Sequence, residues 1–75
     1  MAVYRNPWHN PHDNKYGPEE YVTDATPTSY KGFLIYHRTR DCWDCVINGE
    51  AVAQRAGFQG AKDFIDEFWA RENAA

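Results

Sequence analysis

Two pairs of side chains in this 75-residue chain have the types and spacing of metal ligands, His9-x-x-His12 and Cys42-x-x-Cys45. Two imidazoles and two thiolates make the donor set of a tetrahedral structural zinc site. Whether they can converge depends on the element beneath them. Cys42 and Cys45 lie in Cys42-Trp43-Asp44-Cys45-Val46-Ile47, a run with the composition of a β-strand, and residues three apart on a strand point to opposite faces. Both thiolates would reach one ion only if a knuckle broke the strand, and no glycine or proline stands in the usual knuckle position. The expectation is a fold that needs no metal and no cofactor, with Cys45 a small buried hydrophobe and Cys42 an ordinary thiol. A thioredoxin-like reading fails on placement, because that motif uses a helix N-terminus to lower a thiol pKa.

Other catalytic constellations are poorly supplied. Nucleophilic catalysis needs a serine or cysteine within reach of a histidine and an orienting carboxylate. The only serine is Ser29, and His37 stands at a strand end. Gly57-x-x-Gly60 lacks the Lys-Ser/Thr that follows in a phosphate loop, and reads as a turn into a helix. No enzyme is expected.

The elements that would position such residues are bounded by size. A chain this short forms one domain, in a class that buries only about 60% of its unfolded surface. Aromatics are 16% of the residues, and large rings bury much area per residue. Two cysteines close in sequence do not make a disulfide framework. No stretch approaches the roughly 18 apolar residues of a membrane helix, and residues 1–10 lack the pattern of a signal peptide. A cytoplasmic protein with no membrane partner is expected.

All four prolines (Pro7, Pro11, Pro18, Pro27) fall in residues 1–29, with Asn6, Asn10, Asn14 and Gly17 among them. No regular element of any length is expected there. Residues 1–29 read as an irregular arm, and Tyr4, Trp8, Tyr16, Tyr21 and Val22 give it too many apolar groups for a disordered tail. Residues 30–75 read as a βββα domain: Phe33 to Arg38 and Cys42 to Ile47 as strands, the Asn48-Gly49 pair as a type I′ turn, and Glu50 to Arg55 as the returning strand. That turn pairs Cys45 with Val52 and Trp43 with Gln54, placing Trp43, Cys45, Ile47 and Val52 on one face with Phe33 and Ile35. Ala61, Phe64, Ile65 and Phe68 then form one stripe of a helix from about Gly60 to Glu72. Lys62 with Asp66 and Glu67 with Arg71 have i, i+4 spacing on its polar side. The expected fold is α+β, an irregular N-terminal arm and a three-stranded antiparallel sheet packed on one C-terminal helix, with Trp43 and Phe68 central to the core.

Two surfaces follow from that arrangement. The sheet face away from the helix collects Tyr36, Arg38, Arg40 and Arg55, residue types that contact phosphates and stack on bases. A three-stranded sheet backed by one helix is similar in outline to plant ethylene-response DNA-binding domains and to the arm-binding domains of phage-type integrases. That likeness implies a DNA-reading sheet face. Net charge argues the other way: it is −3 overall, and the acids concentrate outside the sheet. Asp63, Asp66, Glu67 and Glu72 on the helix could occupy a basic groove meant for nucleic acid, with Trp8 and Trp69 as anchors.

The run Trp43-Asp44-x-Val46-x-x-Gly49, followed by Ala56-Gly57-x-x-Gly60-Ala61-Lys62-x-Phe64-Ile65-Asp66, resembles a pattern in small uncharacterised proteins of bacteriophages and prophages. The resemblance covers residues 43–66, about a third of the chain. It implies a bacterial host and a binding role, such as occluding a host enzyme, blocking a defence complex such as a CRISPR effector, or assisting a DNA transaction. The expected function is a non-enzymatic accessory protein that binds a host protein or complex and inhibits or modulates it, with a small DNA-binding module as the alternative.

Overall fold

A computed structural model describes residues 1–73; the last two residues of the expected domain lie outside the described residues. Strands β1 (Ala2–Arg5), β2 (Glu20–Thr23), β3 (Thr28–Tyr30), β4 (Phe33–Thr39), β5 (Cys42–Ile47) and β6 (Glu50–Arg55) precede one helix, α1 (Phe58–Asn73), and a single 3₁₀ turn spans Asn14–Tyr16. The fold is α+β, but the sheet has six strands in the order β2-β1-β6-β5-β4-β3. The three-strand expectation is corrected here: residues 1–29 are not an irregular arm but supply β1, β2 and most of β3.

All neighbours are antiparallel except β1 and β6, which meet in parallel at Arg5 and Glu50. β2 and β3 therefore run in the same direction, at opposite ends of the sheet. Only residues 24–27 join them. Such a link spans at most about 18 Å, whereas the end strands of a flat six-stranded sheet stand roughly 24 Å apart. The sheet must roll, and the rings show that it does: Tyr4 of β1 stacks on Tyr36 of β4 with centroids 5.1 Å apart, across the roll.

Rolling gives two cores. The interior holds Tyr4, Tyr21, Tyr36, Val46 and Ala51. The outer face of β4, β5 and β6 is covered by α1, which closes Phe33, Ile35, Cys45 and Ala53 under Ala61 and Ile65. Phe33 and Ile65 are wholly buried, while Trp43 and Phe68 pack on the margin of this core and not at its centre. Trp43 instead lies flat against His37, with centroids 3.8 Å apart.

Two turns set the register. Asn48 and Gly49 both have positive φ, as the type I′ hairpin requires. Lys31 and Gly32 do the same between β3 and β4. A bulge then shifts β6: Cys45 faces Ala53 and Val46 faces Ala51, leaving Val52 as the extra residue. Val52 and Ala53 consequently both face the helix. The expected pairs Cys45–Val52 and Trp43–Gln54 are replaced by Cys45–Ala53 and Trp43–Arg55. Arg55 moves to the helix side, where its guanidinium lies 5.0 Å from the Phe64 ring centroid.

Candidate functional site

The chain between β1 and β2 is organised by one side chain. Asn6 is buried, and its Nδ2 donates to the carbonyls of Tyr16 (2.8 Å) and Pro18 (2.7 Å) while its Oδ1 accepts from the Trp8 N–H (3.0 Å). Its backbone N–H donates to the Glu19 carbonyl at 2.9 Å, pinning the two ends of the loop together. Gly17, at φ 89°, sits between the two carbonyls that Asn6 gathers, and its own carbonyl accepts from His9 Nδ1 at 2.9 Å. Asn10 and Asp13 each accept, on a side-chain oxygen, the N–H two residues on. The prolines and asparagines that forbid long elements thus build a self-bonded loop.

That loop presents aromatics to solvent. Trp8 is 40% exposed and Tyr16 53% exposed. Beside them an open cleft of about 260 Å³ is lined by Arg5, Asn6, Pro7, His9, Pro11 and Glu19. Ordered loops carrying tryptophan, tyrosine, asparagine and histidine have the chemistry of a recognition surface, because large rigid rings gain contact area at little entropic cost. Trp8 was legible as an anchor from its type. What makes it a site, the Asn6 hub, has no local signal beyond an asparagine before a proline.

The other sequence-selected residues divide. Tyr36 lies in the interior core. Arg38 is half-buried, with Nε on Asp44 at 2.6 Å and its guanidinium 3.9 Å from the Tyr21 ring centroid. Arg40 is exposed, and Arg55 faces the helix. Tyr36, Arg38, Arg40 and Arg55 therefore do not form one surface; the β1–β2 hairpin covers the face they were expected to share. On the helix, Asp66 accepts from Tyr30 Oη (2.9 Å) and Lys31 Nζ (2.6 Å), and these bonds, from Lys31 first, hold its carboxyl below the usual range. The expected Lys62–Asp66 pair is replaced by this contact with the β3–β4 turn, and Lys62 lies over Phe58. Trp69 packs against Phe33 and donates its indole N–H to the Lys31 carbonyl at 2.9 Å. Asp66 and Trp69 are fastened to the fold. Asp63, which accepts from Gln59, is exposed, as are Glu67 and Glu72.

A second polar cluster lies inside the roll. The Asp44 carboxylate is wholly buried and accepts from the Tyr4 hydroxyl, from Arg38 Nε and from Cys42 Sγ (3.0 Å). Cys42 and Cys45 do face opposite sides of β5: Cys42 joins this cluster, and Cys45 donates toward the Ala61 carbonyl at 3.6 Å beneath the helix. Among the described residues no group of three or more His, Cys, Asp or Glu side chains is placed to hold a metal.

Burial, then the bond to Asp44, pushes the Cys42 thiol up to about 11, and burial pushes Cys45 to about 11 as well. The Tyr4 phenol is raised above its ordinary value by burial first and by Asp44 second. A raised acid binds its proton more tightly in the folded state, so these groups contribute stability that is intact below their unfolded pKa values and is lost as pH rises through the folded ones. The melting temperature should fall as pH rises from 9 towards 11. At mildly alkaline pH a thiol reagent should modify the folded protein roughly a hundredfold more slowly than the urea-unfolded chain, which stopped-flow kinetics would measure. Equal rates would show that neither thiol is held as described.

No family model, curated protein or solved structure matches this chain.

Proposed function

We propose that this is a non-enzymatic binding protein that docks on a host macromolecular complex, with protein as its target, through loop 7–18 and the anchors Trp8 and Tyr16. The observation that carries the reading is the exposure of both rings on a loop whose ends are fixed by Asn6 and whose turns are closed by Asn10 and Asp13. A loop ordered before contact loses little conformational freedom on binding. The exposed carboxylates of Asp63, Glu67 and Glu72 add an acidic flank that steers the chain toward a basic surface, such as the nucleic-acid groove of a defence or processing complex. The resemblance to small phage proteins supplies the setting, a bacterial cytoplasm, and the consequence, inhibition or modulation of the complex bound.

Protein ranks above DNA because the basic residues are dispersed. Arg38 is engaged with Asp44 and Arg55 with Phe64, so a salt-driven phosphate surface lacks the clustered cations it needs. Capture from bacterial lysate on tagged protein, competed by untagged protein, tests this directly. Trp8→Ala should weaken the captured complex by about 2 kcal/mol or more, some 30-fold, as truncated aromatic hot spots do. Its melting temperature should stay at the wild-type value, since Trp8 belongs to neither core. Retention of DNA in a salt-sensitive manner, with no protein partner, would overturn the reading.

A further inference from the structure

Among the described residues nothing covers the outer face of the β1–β2 hairpin, because α1 packs on β4, β5 and β6. Tyr4 and Tyr21 point into the roll, so Val3, Arg5, Glu20 and Val22 point out. Val3 is 50% exposed and Val22 55% exposed, on an otherwise regular pair of strands. Two adjoining exposed valines on a sheet face form an apolar patch with no partner among the described residues.

The register gives this patch a particular symmetry. Val3 stands directly opposite Val22, and Arg5 directly opposite Glu20. Consider a two-fold axis parallel to the strands, lying in the plane above the midline of the hairpin. It carries β1 of one molecule over β2 of the other without shifting it along the strands. Val3 then lies over the second copy's Val22, and Arg5 over its Glu20, with both contacts repeated by symmetry. Apolar meets apolar and each charge meets its opposite, which is the self-complementarity of an isologous interface. Sliding the second copy along the strands by one pair of residues would set a charge against a valine.

We infer that the protein associates with a second copy of itself through this face, two hairpins packing face to face about that axis. The inference goes beyond the proposed function and does not depend on which partner the loop binds. A patch of this size is well below the roughly 800 Å² per partner of a stable interface, so the association is reversible and grows with concentration. Its consequence is a dimer in which each hairpin carries its own Trp8 loop, two recognition loops in one particle.

Sedimentation equilibrium from low-micromolar to millimolar concentration is the test, on wild type, Arg5→Glu and Glu20→Arg. Wild type should show a monomer–dimer equilibrium. Each single variant should be monomeric, because the two-fold axis then sets acid over acid at both contacts in one and base over base in the other. Mixing the two should produce a heterodimer, since the same axis now sets acid over base at both contacts. Both sites are exposed, and unchanged melts will show that the variants remain folded. A monomeric wild type at every concentration would overturn the inference. So would single variants that still dimerise, or a mixture that stays monomeric.

Discussion

Phe33→Ala is expected to leave the chain largely unfolded at room temperature. Phe33 is wholly buried, and its ring meets those of Phe64, Phe68 and Trp69 edge-on at centroid distances of 5.2 to 6.3 Å. Its ring packs on three aromatics of α1, so its removal loosens the helix as well as opening a cavity. Truncation of a buried phenylalanine costs about 3–5 kcal/mol, which is most of the stability a domain of this size holds. Trp43→Ala should cost less, because Trp43 is only partly buried and stacks outward on His37. Far-ultraviolet circular dichroism with urea titration distinguishes the two. A cooperative transition for Phe33→Ala near the wild-type midpoint would contradict the placement of this core.

The second large effect belongs to Asp44. Asp44→Ala leaves the Arg38 guanidinium and the Tyr4 hydroxyl facing an emptied interior, and breaking a buried ion pair from one side costs about 3–5 kcal/mol. Tyr4 is on β1, so the loss should be felt first as release of the β1–β2 hairpin from the roll, with faster amide exchange over residues 2–5 and 20–23. Asp44→Asn keeps an acceptor for Tyr4 and should be intermediate. The paired replacement of Arg38→Met with Asp44→Leu removes both charges together and should recover part of the loss, the remainder being the Tyr4 hydroxyl left unpaired in the interior. If the double variant were no better than Asp44→Ala, the cost would lie in packing and in the unpaired Tyr4 hydroxyl, and not in the stranded charge.

These expectations show where the sequence was readable. Strands β4, β5 and β6 are consecutive and carry strong alternation, one of the two hairpin turns is an Asn-Gly pair, and the helix stripe Ala61, Phe64, Ile65 and Phe68 has an unambiguous period. Their contacts are local. β1, β2 and β3 are three or four residues each, too short for periodicity to stand out. β1 finds its neighbour β6 some 45 positions away, in parallel, through a single residue pair. Val3-Tyr4 and Tyr21-Val22-Thr23 do have strand composition, and Lys31-Gly32 can adopt a hairpin turn, but the prolines between them outweighed that signal. The bulge at Val52 is a property of the pairing, and it alone carried Ala53 and Arg55 to the helix side. The burial of Asp44 has no local signal in β5, because it depends on Tyr4 and Arg38 closing around it, forty residues away in the first case. Of the surface residues, Trp8, Arg40, Asp63, Glu67 and Glu72 remain exposed in the fold, whereas Asp66, Trp69, Tyr36 and Arg38 have structural employment.

The working surface itself can be located by placing a photo-crosslinking residue at position 8, at position 16, or on the helix at position 67, and exposing each tagged protein to host lysate under light. The loop positions should each yield the same single cross-linked protein, lost when untagged wild type is added in excess, while position 67 should yield little of it. A specific partner cross-linked from position 67 and not from 8 or 16 would contradict the assignment of loop 7–18 as the binding site.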